Sequence, residues 1–163
     1  MRAIGVSNYC EACLDCLAGE EVQPMVNQVQ YHVGMGPDPQ GFVSSSAKRG
    51  IVMQAWSPLG AGGHGSGEIL NGNLTTAIAK KHGKSTAQIA LKYLVTKRSS
   101  VVTKSANPTH LAEDLDIFDF DLDEADLKQL VSGQRNKPGK SGRGHVRQRR
   151  HALVHVRRHR IVI

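Results

Sequence analysis

The sequence predicts an α/β fold of the (β/α)8 TIM-barrel type, truncated to about the last four β/α units and followed by a disordered basic tail. Three observations point to it. Short runs rich in Val and Ile alternate with stretches of helical periodicity, the pattern of parallel strands joined by helical crossovers. A closed barrel needs eight such units over roughly 250 residues, and a chain of 163 residues shows about half that number. Acidic residues stop at Asp126, whereas ten Lys/Arg follow Gly133. Residues 1–132 therefore read as the partial barrel, with net charge −3, and residues 133–163 as a low-complexity tail of +10. The overall charge of +7 describes the tail and not the fold.

Ala3-Ile4-Gly5-Val6-Ser7 is the first strand, and Ser7 or Asn8 is expected to cap the helix that runs to about Leu17, before Gly19. Met25 to Val29 is the second strand. A loop rich in Gly and Pro (34–39) leads into a helix from about Gln40 to Lys48, closed by Gly50. The third strand, Gly50-Ile51-Val52-Met53-Gln54-Ala55-Trp56-Ser57, stops where Pro58 cannot donate to a ladder. It delivers the only Trp to a sheet rim, where α/β proteins hold ligands, and opens into the glycine-rich loop 60–67.

Glu68-Ile69-Leu70 leads into a helix from about Leu74 to His82, ended by Gly83. Ser85 caps the next, Thr86 to Thr96, whose Ile89, Ala90, Tyr93 and Leu94 recur at helical spacing. Ser100 to Lys104 is the fourth strand. Asn107-Pro108 opens a helix as a cap followed by proline. Phe118 to Leu122 is an extended linker, and Asp123 caps a last helix through about Val131.

Cys10, Cys13 and Cys16 have the spacing of part of a metal or cluster ligand run. No fourth ligand lies nearby and the segment reads as helical, so they are taken as small apolar residues partly sharing one face, with no metal expected. The tail, from Lys137-Pro138-Gly139-Lys140 into an Arg/His/Val run, has two readings. One is an arm for nucleic acid or another acidic surface. The preferred one is a disordered, low-complexity segment or an out-of-frame product. Aromatics are only 4% and no nucleic-acid-binding motif accompanies the tail, which argues against base stacking. No apolar run approaches the roughly 20 residues of a membrane helix, and the start does not look like a signal peptide. A cytoplasmic location is the expectation.

The strand ends are more specific than the strands. Ile4-Gly5-Val6-Ser7-Asn8-Tyr9, Val26-Asn27-Gln28-Val29-Gln30-Tyr31-His32, Ala55-Trp56-Ser57-Pro58-Leu59-Gly60 and Thr103-Lys104-Ser105-Ala106-Asn107-Pro108 resemble the aldo-keto reductase family, in its order and approximate spacing, as does Phe118-Asp119-Phe120-Asp121-Leu122. The resemblance covers about Arg2 to Leu130 and corresponds to the second half of that family's barrel. It implies an NAD(P)H-dependent oxidoreductase acting between carbonyl and alcohol, with a nicotinamide dinucleotide as partner and NADP(H), alternatively NAD(H), as cofactor.

Carried over by position, Ser7, Asn8 and Gln28 match the residues that hydrogen-bond the nicotinamide carboxamide. Trp56 matches the aromatic stacked on the ring, a role that needs a flat π-surface. Ser57, Leu59 and the glycine loop match the segment along the pyrophosphate. Lys104 and Ser105 match the box that binds the adenosine 2′-phosphate, implying NADPH over NADH. Two positions depart from the pattern. The family's usual Arg is His110, which cannot form a bidentate clamp, and its usual Asn is Asp114, beside Glu113. Negative charge there should weaken the preference for NADP.

The family's catalytic Asp, Tyr, Lys and His lie on the half of the barrel upstream of Ala3, and no residue of this chain is assigned to them. Hydride transfer to a carbonyl needs a proton donor for the developing alkoxide, so the chain alone is expected to be inactive. A small carbonyl substrate would be accepted only with the other half supplied. The alternative is a non-catalytic nucleotide-binding fragment. Strands 3–7 and 100–104 would also leave open sheet edges, predicting self-association or marginal stability.

Overall fold

A computed structural model describes residues 3–60 and 66–132. The basic tail, residues 1–2 and most of the glycine-rich loop (61–65) lie outside the described residues. Four strands, β1 (Gly5–Ser7), β2 (Val26–Gln30), β3 (Val52–Trp56) and β4 (Ser99–Val102), form one parallel sheet in the order β1-β2-β3-β4. Around them run α1 (Glu11–Asp15), α2 (Phe42–Lys48), α3 (Ser66–Asn71), α4 (Asn73–His82), α5 (Thr86–Thr96), α6 (Pro108–Leu115) and α7 (Glu124–Ser132), with 3₁₀ turns at Val33–Met35 and Pro39–Gly41. Sequential strands that are parallel neighbours must cross over through helices, which is the arrangement the alternating pattern predicts.

Period-two alternation divides the sheet into two faces. Asn27, Val29, Met53, Ala55 and Ser99 are buried beneath the helices. The opposite face carries register rows: Gly5, Val26 and Val52; then Ser7, Gln28, Gln54 and Ser100; then Gln30, Trp56 and Val102. No charged side chain stands in these rows.

The helical layer is centred on α5. Ile89, Ala90, Leu91, Tyr93 and Leu94 are all fully buried, so this helix is enclosed on most of its circumference and does not merely bury one stripe. Its start is fixed by a reciprocal capping box: Ser85 Oγ accepts from the Gln88 amide and Gln88 Oε1 accepts from the Ser85 amide. Ile69 of α3, Ile78 of α4, Leu122 and Leu130 of α7 complete the core against Val29, Met53 and Ala55.

The expected helices over 86–96, 74–82 and from Pro108 are present, shifted by at most a residue. Gly83 closes α4 at φ 63, and Asp123 Oδ1 caps α7 by accepting from the Asp126 amide at 2.8 Å. Three expectations are corrected. Residues 66–71 form a separate helix, joined to α4 at Gly72, where any Cβ would collide with the Glu68 carbonyl oxygen. The first helix is short and neither Ser7 nor Asn8 caps it: Cys10 occupies the cap position, with no side-chain bond to the turn. The cysteines do not share a buried helix face either, because only Cys13 lies within α1 and the side chain that α1 buries is Leu14.

Candidate functional site

The carboxyl ends of the four strands gather the polar residues into two neighbouring groups. At β1 and β2, Ser7 Oγ donates to the Gln28 carbonyl at 3.1 Å and itself accepts from Asn8 Nδ2 at 3.1 Å. The Asn8 amide donates to the same Gln28 carbonyl at 2.9 Å. The side chain of Gln28 points to β3, where its Nε2 donates to Gln54 Oε1 at 2.7 Å. These bonds fix the direction of each amide, leaving Gln28 Oε1 and Gln54 Nε2 with further capacity.

The second group lines a cavity of about 520 Å³, within the usual range for small-molecule sites. Ser57, Pro58, Leu59 and Gly60 form the wall that follows β3. Val102, Thr103, Lys104 and Ser105 form the wall that follows β4. Leu70 and Asn71 of α3, the start of α5 and one side of α6 close it. The α6 residues His110, Glu113 and Asp114 reach the cavity together because positions i, i+3 and i+4 share a helix face. Ahead of them, Ser105 Oγ accepts from the Asn107 amide at 3.1 Å and Asn107 Oδ1 accepts from the Thr109 amide at 3.0 Å, so the turn presenting Lys104 is tied to the cap of α6.

Trp56 ends β3, in register with Gln30 on one side and Val102 on the other, with 36% of its surface exposed. Ser57 then turns the chain at φ 50, a left-handed conformation that is unfavourable for a residue with a Cβ, and its carbonyl accepts from the Gly60 amide at 2.9 Å. Asn8, after β1, sits at φ 58. Asn8 and Ser57 thus share left-handed backbone on one rim, while Gln40 and Arg98 adopt it elsewhere among the described residues.

Seven of the residues singled out from the sequence (Ser57, Leu59, Lys104, Ser105, His110, Glu113 and Asp114) line the cavity. Ser7, Asn8 and Gln28 form the hydrogen-bonded group beside it, and Trp56 stands on the strand between. The glycines at 62, 63 and 65 lie outside the described residues. The sequence reading missed Gln54, whose signal was available as a polar residue facing the same way as Trp56 two residues on. It also missed Asn71, Ser85 and Thr86 as cavity walls. Ser85 reads in the sequence as the cap of α5, and Thr86 Oγ1 donates to the Leu70 carbonyl at 2.8 Å, which brings α3 to the cavity mouth.

Comparison with known proteins agrees with this architecture. The profile of the aldo/keto reductase family matches residues 1–134. The chain is 36% identical over 138 residues to morphine 6-dehydrogenase of Pseudomonas putida, covering 79% of this chain and 46% of that protein. It is 36% identical over 132 residues to glyoxal reductase of Bacillus subtilis, covering 80% and 45%. Among solved structures it resembles MGS-M4, an aldo-keto reductase from a deep-sea metagenome library, with a TM-score of 0.71 at 36% identity over 80% of this chain and 47% of that one. It also resembles a mutant of Gox0644 in complex with NADPH, with a TM-score of 0.69 at 32% identity over 80% and 46%. The chain belongs to the aldo-keto reductase family, and its four β/α units are a segment of that family's (β/α)8 barrel. It spans just under half the length of the relatives it matches.

Proposed function

We propose that the chain binds a nicotinamide dinucleotide along the carboxyl rim of its sheet, as the cofactor-holding part of an oxidoreductase that interconverts carbonyls and alcohols. The observation that carries this reading is the cavity that joins Lys104 and Ser105 to Ser57 and Leu59, one strand away from the Ser7, Asn8 and Gln28 cluster. Its donor set suits a dinucleotide phosphate: an ammonium, hydroxyls of Ser57 and Ser105, and the start of a helix. The exposed face of Trp56 suits a planar ring, and the amides of Asn8, Gln28 and Gln54 suit a carboxamide. A bound nicotinamide would supply the hydride; the residues named here would orient the ring, and Lys104 would neutralise phosphate charge.

The same reading holds that the chain alone does not reduce carbonyls. Of its three tyrosines, Tyr31 and Tyr93 are fully buried. Tyr31 donates to the Pro37 carbonyl at 3.2 Å, and burial pushes its hydroxyl far above the ordinary phenol range. Neither is a proton donor for a substrate at the rim. Support for the dinucleotide itself comes from the solved relative whose mutant form holds NADPH.

The acidic pair on α6 qualifies the cofactor preference. Glu113 and Asp114 face the cavity that Lys104 enters, so a 2′-phosphate there meets both attraction and repulsion. Because Trp56 is the only tryptophan, its fluorescence reports the site directly. Titration with NADPH and NADH is expected to quench it, with only a modest preference for NADPH. Lys104→Ala is expected to weaken NADPH by about tenfold, as loss of a charge-assisted hydrogen bond implies, with little change for NADH. The double variant E113Q/D114N is expected to tighten NADPH selectively. Absence of quenching by either dinucleotide would overturn the reading, and strong NADPH selectivity in the unmodified chain would overturn the role given to the acidic pair.

A further inference from the structure

The three cysteines belong neither to the core nor to the rim cavity. Cys10 and Cys13 are half-buried and Cys16 is exposed. Among the described residues no group of three or more His, Cys, Asp or Glu side chains is arranged to hold a metal ion. Cys10 Sγ and Cys13 Sγ stand 2.7 Å apart. A disulfide needs about 2.05 Å between the sulfurs, so closing the pair requires a movement of well under an ångström.

The backbone beneath the pair is already fixed to the sheet. Asn27 on β2 is fully buried, and its side chain accepts from the Tyr9 amide at 3.3 Å and donates to the Tyr9 carbonyl at 2.9 Å. One residue on, the Cys10 carbonyl accepts from the Leu14 amide at 2.9 Å, which sets the first turn carrying Cys13. Both thiols are thus held in register before any oxidant arrives. That preorganisation gives an internal thiol a large advantage over one free in solution.

We propose that Cys10 and Cys13 are a thiol–disulfide exchange site that closes into a reversible intramolecular disulfide on reaction with a small-molecule disulfide of the glutathione class. The two sulfurs have different roles. Either sulfur can donate across their contact; with Cys13 donating, the Cys10 thiol lies below its ordinary range and Cys13 above it. The Cys10 thiolate attacks one sulfur of the small disulfide, breaking its S–S bond and expelling one thiolate. Cys13 then loses its proton to solvent and attacks Cys10 Sγ, forming the Cys10–Cys13 bond and expelling the second thiolate. Two protein thiols are oxidised and one external disulfide is reduced to two thiols, so electrons balance. Cys16, one residue beyond α1, stays free.

The test uses the full chain in mixtures of oxidised and reduced glutathione, followed by alkylation of free thiols and mass spectrometry. The expected product carries one alkyl group and one internal disulfide. Cleavage after Glu11, which lies between the two cysteines, should leave the fragments joined until a reductant is added. Cys16→Ser should keep the internal disulfide and lose the alkyl group. Cys13→Ser should stop at a mixed disulfide with glutathione on Cys10. Three alkylated thiols at every glutathione ratio would overturn the proposal, as would loss of the internal disulfide in Cys16→Ser or glutathione found on Cys16 alone. Far-UV circular dichroism of each variant, expected to match the parent, shows that the readout concerns sulfur chemistry and not folding.

Discussion

Ser57 occupies the left-handed region at φ 50 without being glycine or asparagine, and it also lines the rim cavity. These two facts pull in opposite directions under substitution. A Cβ in that region costs roughly 1–2 kcal/mol, and glycine avoids the cost while adding chain entropy to the unfolded state. Ser57→Gly is therefore expected to leave stability equal or raise it by up to about 1 kcal/mol, and to weaken dinucleotide binding through the lost hydroxyl. Urea denaturation and Trp56 quenching on the same variant separate the two effects; a variant that is both less stable and equally tight would refute the assignment. Asn8 at φ 58 shows the milder case, since asparagine tolerates this conformation. Residue type alone does not separate the two roles of Asn8, because asparagine is favoured both at caps and in left-handed turns. Only the bonds of its neighbours, Ser7 to the Gln28 carbonyl and Tyr9 to Asn27, decide between the two.

Among the helices, α7 is held by charges. Asp126 is 3% exposed and accepts from Lys81 at 2.9 Å, from His82 Nε2 at 2.8 Å and from the Asp123 amide at 3.1 Å. Burial alone would raise its pKa, but these partners together hold its carboxyl below the usual range. Lys81 and the Asp126 amide hold Asp123 at about 2, against an ordinary 3.8. For both groups the folded pKa is the lower one, so their contribution to stability is present above the ordinary value of 3.8 and is lost as pH falls through the folded values, about 2 for Asp123. Thermal unfolding followed from pH 5 to pH 2 should show a fall in Tm concentrated in that window. Asp126→Asn should lower stability at neutral pH by about 1–3 kcal/mol and flatten the acid dependence; an unchanged acid slope would remove Asp126 from its cause. At this scale the sequence was informative where a helix end has a chemical marker, as at Ser85, Asn107-Pro108 and Asp123. It was silent at α3, because glycines at 65 and 72 flank the helix and Gly67 stands inside it, so the stretch reads as loop. What builds α3 is its tertiary context: buried Ile69 in the core and the Leu70 carbonyl engaged by Thr86.

For the molecule as a whole, the decisive feature is the sheet face turned away from the helices. The alternation of strands with helices predicted a parallel sheet covered by helical crossovers, and the strand-end motifs pointed to the barrel the strands belong to. Neither could show how the remaining face is covered, because coverage depends on what stands opposite. Among the described residues, β1 and β4 each have a free edge, and Val52 and Val102 are 48% and 44% exposed on the uncovered face. That face is uncharged, half polar and half apolar, so water satisfies it poorly while a second similar face would meet no repulsion. The chain is therefore expected either to self-associate through this face and its edges or to unfold at low denaturant concentration. Analytical ultracentrifugation across a concentration series, paired with urea denaturation, distinguishes these outcomes. Val52→Glu places a charge in the row of Gly5 and Val26, away from the rim cavity, and should drive any assembly towards monomer while leaving α5 and its buried neighbours in place. If the unmodified chain sediments as a compact monomer with cooperative unfolding, the uncovered face needs no partner, and both expectations fail together.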